Sequence, residues 1–474
     1  MRKHLIPFVL FLLLVFSLPL AAQEEGGAAY IPPEDPLVQK NLEEWQDLKF
    51  GFMMHWGPYS QWGIVESWSI CSEDVPWCRR NAKDYTEYKK AYEMLKTTFN
   101  PGLFDPESWA KAAKEAGMRY LVFTTKHHDG FSMFDTKLTD YRITDEHCPF
   151  HKNPKADVTK YIFDAFRAEG FKVGAYFSKP DWHSPYYWWP YFATPDRHVN
   201  YDPQKYPERW EKFKQFVHGQ VEELMTRYGR VDILWLDGGW VRPRPGIGHH
   251  PWNQDIDMPA LATMARSHQP GLIVVDRSVA GKYENYRTPE QRVPDKPLPY
   301  PWETCMTMGG SWSYNPLDHY KPANKLIHLL VDIVSKGGNF LLNVGPTPRG
   351  TLPPEALQRM KEIGAWMKVN GKAIYGTRPV APYKEENICF SQGKEGEIYA
   401  IYLAGEEEKK MPATLHIKGF RGSKSTKIQL LGSSGTLKWK NDGGEMVIRI
   451  PAGTAAHPPC KHAWTFRITG ISDQ

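Results

Sequence analysis

The sequence predicts an α/β protein in which a (β/α)8-like barrel over residues 30–379 is followed by a C-terminal β-sandwich over residues 380–474. A chain of 474 residues has room for one large α/β barrel and an accessory domain. Short apolar runs that end in polar residues alternate with helix-like stretches as far as about residue 370. Beyond residue 376 the apolar runs follow one another without intervening helices, which is typical of a sandwich.

Six strand-like runs and the helices between them predict the barrel. The runs cover residues 50–54, 120–123, 172–177, 231–236, 272–275 and 340–344. Apolar residues at helical spacing mark residues 37–48, 107–116, 210–228 and 353–369. A set of eight strands is therefore an extrapolation from six. The sandwich is predicted from β-rich runs at residues 398–403, 414–417, 427–431, 446–450 and 463–468.

The first 22 residues predict export. A basic start at Arg2 and Lys3 precedes an apolar run over residues 5–20, which ends at the small residues Ala21 and Ala22. This run is short for a membrane span, so we expect residues 1–22 to be a cleaved signal peptide that leaves no membrane anchor. The mature protein is then expected to be periplasmic or secreted. A net charge of +5 gives no reason to expect nucleic acid as a partner.

One carboxylate stands directly at the end of a strand-like run of mostly large apolar residues. Residues 231–236 lead directly into Asp237, which two glycines and Trp240 follow. In parallel α/β folds the C-terminal ends of strands carry the chemistry, because the strand fixes the acid while glycines let a ligand approach. The alternative is that Asp237 only caps a helix or begins a turn.

Histidines and tryptophans follow the other strands. His55 ends the first run, Glu66 and Trp68 lie in the next loop, and the pair His127 and His128 follows the second run. Neutral imidazoles can bind hydroxyl groups, and the apolar face of a sugar ring stacks on indole. Two alternatives remain for the histidine pair, a metal site and a purely structural role. The chain lacks a glycine-rich nucleotide motif, so nucleotide binding is not expected.

Cleavage of a glycosidic bond would need a second carboxylate, because one group attacks or activates water while another protonates the leaving oxygen. The residues downstream of Asp237 offer four candidates, which are Asp276, Glu284, Glu290 and Glu303. Glu290 is expected in a loop near the active face, and Glu303 is expected on a strand. Periodicity does not choose between them.

Several motifs in the same order resemble the α-L-fucosidases of glycoside hydrolase family 29. They are FGFMMHWG at residues 50–57, TTKHHDGF at 124–131, LDG at 236–238, SWSY at 311–314, the run 330–346 and NGKAIYGTRP at 370–379. The resemblance covers about residues 40–380. It implies a retaining exo-hydrolase that needs no metal or cofactor, with a barrel-like catalytic domain, a C-terminal β-sandwich, and a fucosylated oligosaccharide or glycoprotein glycan as substrate.

The resemblance also assigns roles to residues of this chain. Asp237 would be the nucleophile and Glu290 the acid/base, with Glu303 as the alternative acid/base. The substrate-binding residues would be His55, Glu66, Trp68, His127, His128, Tyr176, Trp240, Arg277 and Trp312. Two departures stand out, since Ser67 separates Glu66 from Trp68, and Phe177 replaces the second tyrosine of a pair that often follows the third strand. Two rival functions are a non-catalytic fucose-binding protein and a glycosidase of the same fold that acts on a galacto-configured sugar.

Overall fold

The computed structural model describes residues 29–73, 76–78, 80, 84–243 and 252–471. Its N-terminal part alternates helices and strands. In chain order these are α1 (Pro36–Leu48), β1 (Phe50–Met54), α2 (Tyr85–Glu93), α3 (Pro106–Glu115), β2 (Tyr120–Lys126), α4 (Val158–Ala168), β3 (Lys172–Ser178), α5 (Pro207–Arg227), β4 (Ile233–Asp237), α6 (Met258–His268), β5 (Ile273–Asp276), β6 (Glu303–Thr307), α7 (Ala323–Ser335), β7 (Asn339–Val344) and α8 (Pro354–Asn370).

These strands form one parallel sheet in the order β5-β4-β3-β2-β1-β7-β6. The predicted α/β barrel is confirmed, but within the described residues the sheet has seven strands and not eight. An extended segment, residues 283–291, lies between the two edge strands and hydrogen-bonds to both. Its backbone pairs with Val274 and Asp276 on one side and with residues 301–305 on the other. This irregular segment therefore takes the place of the eighth strand.

The interior of the barrel is filled by aromatic and aliphatic side chains. Tyr120, Tyr176, Trp235 and Tyr286 belong to this interior cluster, to which α1 contributes Trp45. The Trp45 ring stacks on the Tyr286 ring with their centroids 3.9 Å apart. A barrel packed in this way has no open channel, so a ligand must bind at one end of the strands.

The C-terminal part is built from antiparallel strands. It contains β8 (Arg378–Glu385), β9 (Ile388–Gln392), β10 (Ile398–Leu403), β11 (Thr414–Ile417), β12 (Gly422–Leu430), β13 (Lys438–Asp442), β14 (Glu445–Arg449), the short helix α9 (Ala452–Ala456) and β15 (Ala463–Ile471). The five-stranded sheet has the order β12-β15-β10-β9-β8 and the three-stranded sheet the order β11-β14-β13. Each of the five predicted runs overlaps a strand, whereas β8, β9 and β13 were not expected.

Side chains of the last two barrel helices hydrogen-bond to the C-terminal sheets. Trp366 on α8 donates its indole N–H to the carbonyl of Ala463, and Asn324 on α7 donates to the carbonyl of Ala404. Among the described residues no helix is long and apolar enough to cross a membrane. The predicted signal peptide, residues 1–22, lies outside the described residues.

Candidate active site

Asp237 is the last residue of β4, and three donors hold its carboxylate. The Tyr176 hydroxyl donates to Oδ2 at 2.7 Å, the Gly238 amide donates to Oδ1 at 2.8 Å, and Arg277 Nη1 lies 3.1 Å from Oδ1. Gly238 has φ +88°, and a Cβ there would lie 2.3 Å from Pro180 Cδ, so only glycine fits this turn. The carboxylate is therefore fixed in position by the backbone as well as by side chains.

The charges around Asp237 keep it ionised. Burial would raise the pKa of the carboxyl, but the charge of Arg277 and the hydrogen bonds from Tyr176 and Gly238 outweigh burial and hold the pKa well below its usual range. An ionised carboxylate that is fixed in position and 14% exposed is suited to nucleophilic attack.

Arg277 links Asp237 to Glu290. Its Nη1 contacts Asp237, and its Nη2 pairs with Glu290 Oε2. Glu290 lies in the segment that replaces the eighth strand, and its side chain is 41% exposed. One guanidinium thus holds two carboxylates on its two terminal nitrogens, which keeps them on the same side of the barrel and close together.

The three predicted histidines surround this pair of carboxylates and are all buried. Burial lowers the pKa of His55 to about 4 and that of His128 to about 3, although Asp237 opposes the shift in both. Burial and the neighbouring His128 likewise hold the pKa of His127 well below its usual range. All three rings are therefore neutral at pH 7. The approach of His128 Nε2 to Asp237 Oδ2, at 3.7 Å, is then not an ion pair.

Glu66 is buried beside the same groups but differs from Asp237 in charge. Burial, together with the negative charges of Glu290 and Asp237, raises the pKa of Glu66 to about 8. Its Oε2 is buried and has no hydrogen-bond partner among the described residues. Glu66 is therefore protonated at neutral pH and holds an unused polar atom next to the carboxylate pair.

Tryptophans form a wall beside the histidines. Trp68 and Trp240 each lie edge-on to His128, with centroids 5.3 and 5.1 Å from its ring, and Trp312 lies 5.0 Å from His55. The Arg197 guanidinium covers both Trp68 and Trp240, at 4.7 and 5.2 Å from their ring centroids. The structure therefore brings every predicted binding residue to one end of the barrel.

Glu303, the alternative acid/base, lies inside the barrel and not beside Asp237. As the first residue of β6 it stands at the end of the strands opposite to Asp237. Its carboxyl is fully buried and accepts hydrogen bonds from the Tyr120 hydroxyl at 2.6 Å and the Trp235 indole at 3.2 Å. Trp235 stacks on Tyr176, so two aromatic rings separate Glu303 from Asp237.

Three further residues contact the histidines, and none of them was predicted to have a role. Asn343 hydrogen-bonds His55, Ser67 hydrogen-bonds His127, and Ser178 hydrogen-bonds His128. The sequence offered only one signal, namely that Ser178 ends a strand and Asn343 is the next-to-last residue of another. Phe177, which replaces the second tyrosine of the pair, points away from the site, with its ring packed under the ammonium of Lys126 at 4.2 Å.

His127, His128 and Asp237 are also close enough to hold a metal ion. Each offers a ligand atom, and these atoms lie within 4.8 Å of one another. Because Asp237 lies at the centre of the site described above, these three residues belong to that site whichever ligand they bind. A fixed carboxylate, a second carboxylate beside it and a wall of neutral polar and aromatic groups suit the cleavage of a bond between sugars. Fold and site together define a glycoside hydrolase.

Comparison with known proteins identifies the family. The family model described as alpha-L-fucosidase matches residues 18–372, and that of the alpha-L-fucosidase C-terminal domain matches residues 383–469. The tissue alpha-L-fucosidase of Homo sapiens is 28% identical over 483 residues, covering 98% of this chain and 97% of that protein. The chain belongs to the α-L-fucosidase family and is a glycoside hydrolase that acts on α-L-fucosides.

Solved structures agree with this assignment. Alpha-L-fucosidase isoenzyme 1 from Paenibacillus thiaminolyticus is 30% identical, with a TM-score of 0.74 over 92% of this chain and 100% of that one. The Thermotoga maritima alpha-fucosidase in complex with a mechanism-based inhibitor is 26% identical, with a TM-score of 0.71 over 93% of this chain and 100% of that one. The resemblance seen in the sequence motifs is therefore confirmed.

Proposed function

We propose that this chain releases terminal α-L-fucose from glycans by two displacements at the anomeric carbon, with Asp237 as nucleophile and Glu290 as acid/base. Asp237 attacks the anomeric carbon while Glu290 gives its proton to the departing oxygen, which leaves a fucosyl group bonded to Asp237. Glu290 then takes a proton from water as that water attacks the same carbon and releases fucose. Two inversions give net retention.

The observation that carries this proposal is the placement of both carboxylates on one guanidinium. Retaining enzymes need their two carboxyl groups close together, about 5 to 5.5 Å apart. The two terminal nitrogens of Arg277 contact Asp237 and Glu290 at the same time, which supports this pairing. The exposure of Glu290 lets it exchange protons with water between the two steps. Glu303 lacks both properties, since it is buried behind Trp235.

The neutral groups of the pocket suit a neutral sugar. His55, His127 and His128 would bind hydroxyl groups, and protonated Glu66 would donate a hydrogen bond from its carboxyl group. The indoles of Trp68, Trp240 and Trp312 would line the apolar side of fucose. Asp237 argues against the rival of a non-catalytic binding protein, because binding alone does not need a fixed, ionised nucleophile.

Hydrolysis of an aryl α-L-fucoside tests the assignment. We expect Asp237→Asn and Glu290→Gln to lose activity, each by roughly a thousandfold or more on a substrate with a poor leaving group. Added azide should restore turnover to both, giving the inverted fucosyl azide from Asp237→Asn and the retained one from Glu290→Gln. Glu303→Gln is the matched control. If Glu303→Gln loses activity and Glu290→Gln keeps it, the acid/base role belongs to Glu303.

The location of the enzyme is part of this proposal. Residues 1–22 have the composition of a signal peptide, so the mature enzyme would act on fucosylated glycans in the periplasm or outside the cell. N-terminal sequencing of protein from the periplasm or the medium should begin just after Ala22. Enzyme that stays in the cytoplasm and still carries Met1 would contradict export.

A further inference from the structure

The hydrogen-bond partners of the three histidines differ in kind. Asn343 Oδ1 lies 2.8 Å from His55 Nδ1, while Asn343 Nδ2 donates to the carbonyl of Trp312 at 2.7 Å. A carbonyl only accepts, which fixes the orientation of the Asn343 amide. The oxygen of that amide therefore faces His55, and His55 Nδ1 must carry the hydrogen. His55 Nε2 is left with a lone pair, and it accepts hydrogen bonds.

The same reasoning applies to His128. Its Nδ1 lies 2.8 Å from Ser178 Oγ, and the single hydroxyl hydrogen of Ser178 goes to the carbonyl of Pro180 at 2.7 Å. Ser178 can then only accept from His128, so His128 Nδ1 carries the hydrogen. Its Nε2, which is the nitrogen 3.7 Å from Asp237 Oδ2, is also an acceptor.

His127 has the opposite partner. Ser67 Oγ accepts the backbone N–H of Asp129 at 2.9 Å and lies 2.5 Å from His127 Nδ1. Ser67 is fully buried, and in the described part of the chain its hydroxyl has no acceptor other than His127. A buried hydroxyl hydrogen without an acceptor costs about 1 to 3 kcal/mol, so Ser67 donates to Nδ1. His127 Nε2 therefore carries the hydrogen and donates.

We infer that Asn343, Ser178 and Ser67 are positioning residues that set the tautomers of the sugar-binding histidines, so that His55 and His128 accept hydrogen bonds and His127 donates one. The inference rests on the proposed function only in taking these histidines to bind the sugar. It gives Ser67, the residue that interrupts the Glu-Trp pair, a role in recognition. A sugar then fits only if two of its hydroxyl groups point a hydrogen at His55 and His128 and a third presents its oxygen to His127.

Nitrogen-15 NMR of the ligand-free protein labelled at histidine tests the tautomers directly. At pH 7 the rings are neutral, so each shows one protonated and one unprotonated nitrogen. The chain has 17 histidines, and the loss of one signal pair in each of His55→Gln, His127→Gln and His128→Gln gives the assignment. We expect Nδ1–H in His55 and His128 and Nε2–H in His127. His127 with Nδ1–H, or either other ring with Nε2–H, would overturn the inference.

Kinetics supply a second test that does not need assignment of every signal. Ser67→Ala should lower kcat/KM for an aryl α-L-fucoside by roughly tenfold and shift the His127 signals, because the ring loses its donor. Ser69→Ala is the matched control, since Ser69 lies in the same buried turn and its hydroxyl bonds to none of the histidines that the structure describes. Equal kinetics for the two variants, with unchanged His127 signals, would also overturn the inference.

The two tests separate the inference from the proposed function. If the wild type cleaves no fucoside, the proposed function fails, while the NMR measurement still decides the tautomers. If the wild type is active and any of the three rings has the opposite tautomer, only the inference fails.

Discussion

The buried carboxyl of Glu303 should make the stability of the protein depend on pH. Burial raises its pKa from 4.5 to about 7, although hydrogen bonds from Tyr120, Trp235 and Tyr286 oppose the shift. Between these two values the folded protein keeps a proton that the unfolded chain releases. The contribution of Glu303 to the free energy of unfolding therefore falls as pH rises from about 4.5 to 7 and is constant above pH 7. Below pH 4.5 the folded and unfolded states both keep the proton, so the contribution has its largest value there.

The size of the effect follows from the two pKa values. At about 1.4 kcal/mol for each pH unit, the contribution of Glu303 to the free energy of unfolding falls by on the order of 3 kcal/mol across this interval. Glu303→Gln keeps the shape of the side chain and an oxygen for the Tyr120 or Trp235 donor, but it cannot ionise. The variant should gain stability relative to the wild type as pH rises, by roughly this amount between pH 4.5 and 7.

Urea unfolding of the wild type and Glu303→Gln at several pH values between 4.5 and 8 measures this difference. Taking the difference between the two proteins removes the contributions of other groups, such as Glu66 and Asp129, whose pKa values burial also raises. A constant difference across the whole pH range would refute the reasoning, because Glu303 would then ionise alike in the folded and unfolded chains.

Glu290→Gln is the counterpart variant, because its side chain is 41% exposed and outside the barrel interior. It should abolish turnover of substrates with poor leaving groups. Glu303→Gln should change the pH dependence of stability while the enzyme still cleaves fucosides. Loss of catalysis in both variants, with the fold intact, would mean that the barrel interior takes part in the reaction.

Three other variants or conditions test the pocket. Arg277→Lys should lower kcat/KM by roughly a hundredfold, since a single ammonium cannot bind both carboxylates as the guanidinium does, and steady-state kinetics would measure this. Activity should fall as pH falls through about 4, the pKa of His55, because the protonated ring donates where it must accept, and a pH profile of kcat/KM checks this. Arg197→Ala should raise KM, by a few-fold, because the rings of Trp68 and Trp240 lose the guanidinium that covers them.

Much of the site could be predicted because the C-terminal ends of parallel strands meet at one end of a barrel. His55, His127 and Asp237 follow different strands and are far apart in sequence, yet the topology alone brings them together. These inferences needed only the order of the strands and the polarity of their ends.

The closing segment of the barrel could not be predicted in this way. Residues 283–291 bond to both edge strands through their backbone but carry no apolar alternation, so they give no strand pattern. The positions of the two carboxyl groups along the barrel could not be predicted either. Glu303 begins its strand, whereas Asp237 ends its own. Only the register of the whole sheet shows that one carboxyl faces the interior and the other the open end.

The contacts that orient the histidines were hidden for a different reason. Ser67 lies 60 residues from His127, and Asn343 lies 288 residues from His55. Serine and asparagine are common in turns and at strand ends for purely local reasons, so their presence signals no distant partner. Such a role becomes visible only when every donor and acceptor around a buried ring is counted.

The charges of the pocket give a physical reason for its burial. At neutral pH the three histidines and Glu66 are uncharged, which leaves ionised Asp237 and the guanidinium of Arg277 in contact at its centre. A fucose ring is neutral, and cleavage of its glycosidic bond develops positive charge at the anomeric carbon. A protonated histidine would repel that charge, whereas ionised Asp237 stabilises it in a site from which water is largely excluded. The burial that costs stability at the histidines thus keeps their rings from adding a positive charge that would oppose catalysis.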